Sequence, residues 1–241
     1  MKQPNKKLVL DNGQTFYGYG SGADCRKVGE IIFNTSVVGY QEIISDPSYA
    51  GQIIVMTYPL IGSYGITDED FESRQLTIGG LVVREICDTP SNFRYTKTLP
   101  EELEDNHTPC ISGVDTRMIT RILREGNVRK AAIVEAEMPD DEALKLIAGS
   151  PDESMVPKVS CKKRWFSRTP NHTFDVVAID CGIKYNTIRE LNRRGCNVTI
   201  MPYNASVESV SAFNPDGIFI SNGPGNPEGL ESVSEIINAF K

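Results

Sequence analysis

Cys181 is the residue whose type and position most readily suggest covalent chemistry, because it follows the apolar run FDVVAID and precedes a glycine. A cysteine attacks as its thiolate, which forms near neutral pH when a base or a cation lies close by. The chain has two histidines, His107 and His172, and neither has a spacing that indicates a pair with Cys181. The sequence therefore favours a structural thiol at the end of a strand.

The segment SNGPGNPEG, residues 221–229, is a turn rich in glycine and proline that directly follows the apolar run GIFI. Gly223 and Gly225 would let a ligand approach backbone N–H groups, and the prolines stiffen the turn. A tight connection from a strand to a helix with no ligand would use the same residue types. With Gly229 the spacing is GxGxxxG instead of the dinucleotide pattern GxGxxG, so a nucleotide site is not favoured.

A third candidate is the tripeptide Asp46-Pro47-Ser48. It predicts a turn, because proline fixes φ and aspartate accepts hydrogen bonds from the backbone that follows it. From this local chemistry alone, a turn is favoured over a functional role for Ser48.

Composition limits the classes of function. The formal net charge of -7 and the pI near 5.0 argue against nucleic acid or an anionic membrane as the main partner. The six cysteines include no CxxC pair, so neither a zinc site nor a redox motif is indicated, and we expect no bound metal. No apolar run has the length of a signal sequence or of a membrane span, and a cytoplasmic protein is expected.

The elements that would position these residues fall into two patterns. Residues 1–149 are rich in β-prone runs, beginning with a hairpin around Asn12-Gly13. A helix is predicted after Asp115, with Met118, Ile119, Ile122 and Leu123 on one apolar face, and another over Asp140–Ala148. Residues 174–241 alternate strands and helices, which predicts a parallel sheet of three strands built from βαβ units.

Residues 150–173 lie between these patterns and are rich in proline, serine and charge. We predict a linker here. The cluster Lys162-Lys163-Arg164-Trp165 would form either a binding patch or, as the composition favours, a solvated basic stretch with one docked aromatic ring.

Four segments together resemble the small, glutamine-hydrolysing subunit of carbamoyl-phosphate synthetase: GEIIFNTSVVGYQEIISDPSYAGQIIVMTYPLIGSYG, GVDTRMITRILREG, DCGIKYNTIREL and PDGIFISNGPGNPEG. The resemblance covers nearly the whole chain. It implies an α/β protein with a β-rich α/β N-terminal domain at 1–149. After the linker, it implies the first half of a flavodoxin-like class I glutamine amidotransferase domain at 174–241.

The resemblance also implies site residues and partners. The serine of the family's Asp-Pro-Ser-Tyr motif, which contacts glutamine, falls on Ser48, and the glycines of its Gly-Pro-Gly turn fall on Gly223 and Gly225. L-glutamine is the expected substrate and the carbamoyl-phosphate synthetase large subunit the expected partner, with neither nucleic acid nor a membrane. No cofactor is expected on this chain, since ATP and Mg²⁺ would be bound by the large subunit.

The family's nucleophile is a cysteine in a Gly-x-Cys-x-Gly-x-Gln elbow, served by a histidine and a glutamate, and this sequence shows no counterpart of the three. We therefore expect this chain to lack the catalytic residues, and the strand DGIFIS to have an open edge that favours poor solubility or pairing. Two hypotheses follow. The chain is part of an enzyme that supplies ammonia for carbamoyl phosphate, or it is a non-catalytic module that docks on the large subunit.

Overall fold

The computed structural model describes residues 3–240. The chain divides into two compact units, Met1–Asp152 and Glu153–Lys241. Each unit has its own hydrophobic clusters and is described separately below.

Unit 1 is built mainly from strands. Its strands are β1 (Lys6–Leu10), β2 (Thr15–Gly22), β3 (Lys27–Asn34), β4 (Ile53–Met56), β5 (Leu60–Ile61), β6 (Gly80–Val82), β7 (Glu85–Ile86), β8 (Pro109–Ser112) and β9 (Lys130–Glu135). Its helices are α1 (Tyr40–Ile44), α2 (Leu99–Asp105), α3 (Thr116–Arg124) and α4 (Asp140–Ala148), with a 3₁₀ turn at Pro47–Tyr49.

Seven of these strands close into a barrel in the order β1-β2-β8-β6-β4-β3-β9, while β5 and β7 form a separate pair. The barrel is filled by apolar side chains such as Leu8, Ile53, Val82 and Ile133, which belong to one buried cluster. The strands β3, β4, β6 and β8 run parallel to one another, so the connections that leave them emerge at one end of the barrel. The turn that carries Ser48 lies between β3 and β4 in the chain.

Unit 2 contains the helices α5 (Val156–Val159), α6 (Tyr185–Arg193), α7 (Val207–Ser211) and α8 (Glu231–Ala239) and the strands β10 (Trp165–Ser167), β11 (Phe174–Asp180), β12 (Cys196–Pro202) and β13 (Gly217–Ile220). The four strands form a sheet in the order β10-β12-β11-β13. Strands β12, β11 and β13 are parallel, and their order is that of the first three strands of a flavodoxin-like fold.

Both faces of this sheet are covered, because successive side chains of β11 point to opposite faces and pack against different helices. Val177 and Ile179 pack with residues of α7 and α8, whereas Ala178 packs with Ile188 of α6. The buried middle of this strand, Val177 to Ile179, is apolar on both faces, which is why the run VVAI is recognisable in the sequence. The carboxyl ends of β11 and β13 are neighbours, since Ile179 pairs with Ile220.

The predicted fold class is confirmed: the first unit is a β-rich α/β structure and the second contains a parallel sheet with the flavodoxin-like strand order. The linker prediction is wrong for much of 150–173. This segment contains α5 and β10, because Val156 and Trp165 pack into the clusters of unit 2 and β10 pairs with β12. On α3, Met118 is 48% exposed and does not join the predicted apolar face.

Candidate functional site

Ser48 lies in the 3₁₀ turn that the sequence predicted. The carboxylate of Asp46 caps this turn by accepting a hydrogen bond of 2.9 Å from the Ser48 backbone N–H. The Ser48 side chain is partly exposed, and its hydroxyl makes no hydrogen bond to another residue within 3–240. The hydroxyl is therefore available to a ligand as both donor and acceptor.

The backbone beneath this turn is held from two sides. The Thr77 hydroxyl donates to the Asp46 carbonyl oxygen at 3.3 Å, and the Ser73 hydroxyl donates to the Ser45 carbonyl oxygen at 2.8 Å. The buried Ser45 hydroxyl accepts from the Glu72 N–H at 3.0 Å. These bonds fix the backbone on which Ser48 is carried, which lowers the entropy lost when its hydroxyl is used for binding.

Helix α1, which leads into the turn, is anchored by buried polar side chains. The Gln41 amide forms two hydrogen bonds with the Thr67 backbone, donating at 2.6 Å and accepting at 2.9 Å. Tyr40 stacks on Tyr64 with ring centroids 4.1 Å apart, and the Tyr64 hydroxyl accepts from the backbone N–H groups of Gly39 and Tyr40. Burial raises the pKa of both tyrosines, so both phenols stay neutral and keep these bonds at physiological pH.

In unit 2, the Gly223–Gly225 turn follows the carboxyl end of β13. A Cβ atom at Gly223 would lie 2.2 Å from the carbonyl oxygen of Cys181, and Gly225 has a φ of +78°. Pro224 between them is buried. The N–H groups of Gly223 and Gly225 form no hydrogen bond with another atom of residues 3–240. The turn thus brings two unused donors to the carboxyl edge of a parallel sheet, where such sheets bind ligands.

Two polar residues that the sequence reasoning missed support this edge. The buried Asp180 carboxylate accepts from the N–H groups of Gly182 at 2.9 Å, Ile183 at 2.8 Å and Cys161 at 2.8 Å. The Ser221 hydroxyl accepts from the Cys181 N–H at 2.9 Å, which joins the ends of β11 and β13. The sequence feature that could have identified them is the polar residue at the end of each apolar run, in FDVVAID and in DGIFIS.

The structure supports the structural role predicted for Cys181. Its side chain is buried, and burial, together with the charge of Asp180, raises the pKa of the thiol to about 11. His172 lies at the opposite end of β11, where its ring is 3.6 Å from the Asp175 carboxylate, and His107 belongs to unit 1. A neutral, buried thiol is a poor nucleophile.

Comparison with known families assigns both parts of the chain. The sequence model of the carbamoyl-phosphate synthase small chain, CPSase domain, matches residues 8–133, which is more than half of the chain. The chain belongs to the carbamoyl-phosphate synthase small-chain family. The model of class I glutamine amidotransferases matches residues 177–241, so the Gly223–Gly225 turn lies in the amidotransferase part and Ser48 in the CPSase part.

Curated members of the small-chain family are similar over almost the whole of this chain. It is 46% identical to the carbamoyl phosphate synthase small chain of Fusobacterium nucleatum over 98% of its length and 66% of the relative's. It is 47% identical to that of Staphylococcus saprophyticus, over 97% of this chain and 63% of the relative. The pyrimidine-specific small chain of Bacillus subtilis is 41% identical, over 96% of this chain and 64% of the relative. The chain thus spans about two thirds of the length of these relatives.

No helix within residues 3–240 is long and apolar enough to cross a membrane. Over the same residues, no group of three or more His, Cys, Asp or Glu side chains is arranged to hold a metal ion. The roles of Ser48, Gly223 and Gly225 toward glutamine remain predictions.

Proposed function

We propose that this chain binds L-glutamine and forms the glutamine-binding part of the amidotransferase component of a glutamine-dependent carbamoyl-phosphate synthetase. The observation that carries the proposal is the Gly223–Gly225 turn, whose two unused N–H groups lie at the carboxyl edge of a parallel sheet. Backbone N–H groups suit the carboxylate and the amide oxygen of glutamine, both of which are hydrogen-bond acceptors. The Ser48 hydroxyl is a second proposed contact to glutamine.

The partner in this proposal is a large subunit that uses ATP, Mg²⁺ and bicarbonate to make carbamoyl phosphate from ammonia. Relatives named pyrimidine-specific are known from Bacillus subtilis and Halalkalibacterium halodurans. We propose that the product made with this chain enters pyrimidine or arginine synthesis.

For the chemical step we propose that the 241-residue chain binds glutamine without hydrolysing it. The support is the state of Cys181, the cysteine at the strand end: its thiol is buried and has a raised pKa, and His172 of the same unit lies at the opposite end of β11. General-base activation of a thiol requires a base within hydrogen-bond reach.

Isothermal titration of the purified chain with L-glutamine tests binding. Replacing Ser48 by Ala removes one hydrogen bond, worth about 1 kcal/mol, and weakens binding about fivefold. The control is Ser36→Ala, which removes an exposed hydroxyl in the same unit and leaves affinity unchanged. Equal affinity of wild type and Ser48→Ala would mean that the Ser48 hydroxyl does not contact glutamine.

A glutaminase assay on the same samples is expected to show no ammonia release. Thiol-dependent release of ammonia would contradict the proposal that the chain does not hydrolyse glutamine.

The second candidate function is a non-catalytic module that docks on the large subunit, which then uses free ammonia. It is favoured by one observation: unit 1 is a closed barrel with its own buried clusters. Co-purification of this chain with a large subunit, without measurable glutamine binding, would select this candidate over the first.

A further inference from the structure

Strand β10 presents a charged and aromatic face at one edge of the unit 2 sheet. Because side chains alternate along a strand, Arg164, Phe166 and Arg168 share one side, and Trp165 lies on the other with the α6 cluster. Among the described strands β10 pairs only with β12, antiparallel, so its other edge has backbone N–H and C=O groups available for pairing.

The side chains on this face contact one another in a row that includes Phe213. The Arg164 guanidinium lies 5.5 Å from the ring centre of Phe213, whose ring is 6.3 Å from that of Phe166. The Arg168 guanidinium lies 5.9 Å from the ring centre of Phe166, which is 49% exposed. Cation–π contact holds each guanidinium near a ring while its N–H groups remain able to donate.

The two arginines have no ion-pair partner in the described part of the chain. Neither Arg164 nor Arg168 forms an ion pair with a carboxylate of residues 3–240. The segment 154–174 contains five Lys and Arg residues and no Asp or Glu, although the whole chain has a net charge of -7; of the five, Lys158 pairs with Glu153. Gathering like charges is unfavourable unless an anion neutralises them, so the chemistry of this face fits an anionic partner.

We propose that the β10 edge is a docking site for an extended, acidic segment of a partner protein. The segment adds as a strand beside β10 and pairs its carboxylates with Arg164 and Arg168. A nucleic acid fits less well. The guanidiniums already lie over both phenyl rings, which are the surfaces on which bases would stack, and a nucleic acid has no backbone pattern to match a strand edge.

Trp165 gives a direct test, because it is the single tryptophan of the chain and lies within β10. The full chain is titrated with a short peptide of alternating glutamate and valine, followed by tryptophan fluorescence and by calorimetry. Two comparison ligands carry the same charge: a peptide with proline in place of valine, and single-stranded oligothymidine. The expected result is saturable binding of the glutamate–valine peptide, weakened by salt and tighter than either comparison ligand.

A pair of matched variants tests the two arginines. Arg164→Gln with Arg168→Gln weakens peptide binding about tenfold. Arg193→Gln with Arg194→Gln removes the same charge from the C-terminal end of α6, where both arginines pair with Glu190, and leaves binding unchanged.

Three results would overturn the proposal: no binding by either method, equal loss in both double variants, or equal or tighter binding of the proline peptide or the oligonucleotide. The comparison of ligands uses the wild-type chain, so it stands even if the Arg164 and Arg168 variant folds poorly.

Discussion

Gly223 and Gly225 are glycines for different physical reasons. At Gly223 the constraint is space, because a Cβ would lie 2.2 Å from the Cys181 carbonyl oxygen, which belongs to the backbone and cannot rotate away. At Gly225 the constraint is conformation, since φ is +78° and nothing lies within 4 Å of the Cβ position. The first residue sets the distance between the ends of β11 and β13, and the second sets the shape of the turn.

Alanine substitutions are expected to separate these two effects. Gly223→Ala lowers the free energy of unfolding by about 2 kcal/mol through steric conflict, and Gly225→Ala by about 1 kcal/mol through backbone strain. Gly229→Ala is the control, because that position has open space and a φ outside the left-handed range. Urea titration of the three variants measures the differences, and a Gly223→Ala protein as stable as Gly229→Ala would contradict the observed approach to Cys181.

At the scale of residues, the sequence predicted the local structure of a site residue where that structure depends on hydrogen bonds to residues adjacent in the chain. Asp46, Pro47 and Ser48 form a turn through bonds within the tripeptide itself, and the sequence predicted that turn. The role of Asp180 could not be predicted in the same way. Its carboxylate binds the N–H of Cys161, which is 19 residues away along the chain, so its partner is known only once the chain has folded.

At the scale of elements, the corner formed by α1 and the 3₁₀ turn determines where Ser48 is held. Asp46→Ala removes the cap of this turn and is expected to lower the free energy of unfolding by about 1 kcal/mol. Thr98→Ala removes the cap of α2 in the same unit and has a similar expected cost. If the cap positions Ser48, glutamine affinity falls in Asp46→Ala and is unchanged in Thr98→Ala. Equal affinities at matched stability would mean that Asp46 only stabilises the fold.

Elements with strong local signals were predicted well. Helix α4 covers Asp140–Ala148 as predicted, and the predicted cap of α3 is present, with the Asp115 carboxylate accepting from the Met118 N–H at 2.9 Å. Strand β10 was missed because it is three residues long and exists through pairing with β12, about thirty residues later. A segment rich in proline and charge does not predict a strand, and β10 is stabilised by packing and pairing instead of by local propensity.

At the scale of the whole molecule, the closed barrel could not be predicted from the sequence. Its closure depends on pairs between distant strands, such as Tyr19 with Ser112 and Lys6 with Glu135. Local patterns identify strands but not their partners, and register is fixed only when one face is buried.

Charge is divided unevenly between the two units. Residues 153–241 contain nine acidic and ten basic residues, so the negative net charge of the chain belongs to unit 1.

The closed barrel leads to an expectation for unit 1 alone. Its seven barrel strands all find their neighbours within Met1–Asp152, and closing a sheet removes the open edges through which isolated strands aggregate. A protein ending at Asp152 is therefore expected to be monomeric and to unfold in one cooperative thermal transition, with a dispersed amide NMR spectrum. Removal of β9 by ending the chain at Arg129 is the comparison. It leaves β1 and β3 each without one neighbour and should abolish the transition. A collapsed state without a cooperative transition in the longer piece would mean that the barrel depends on residues outside unit 1.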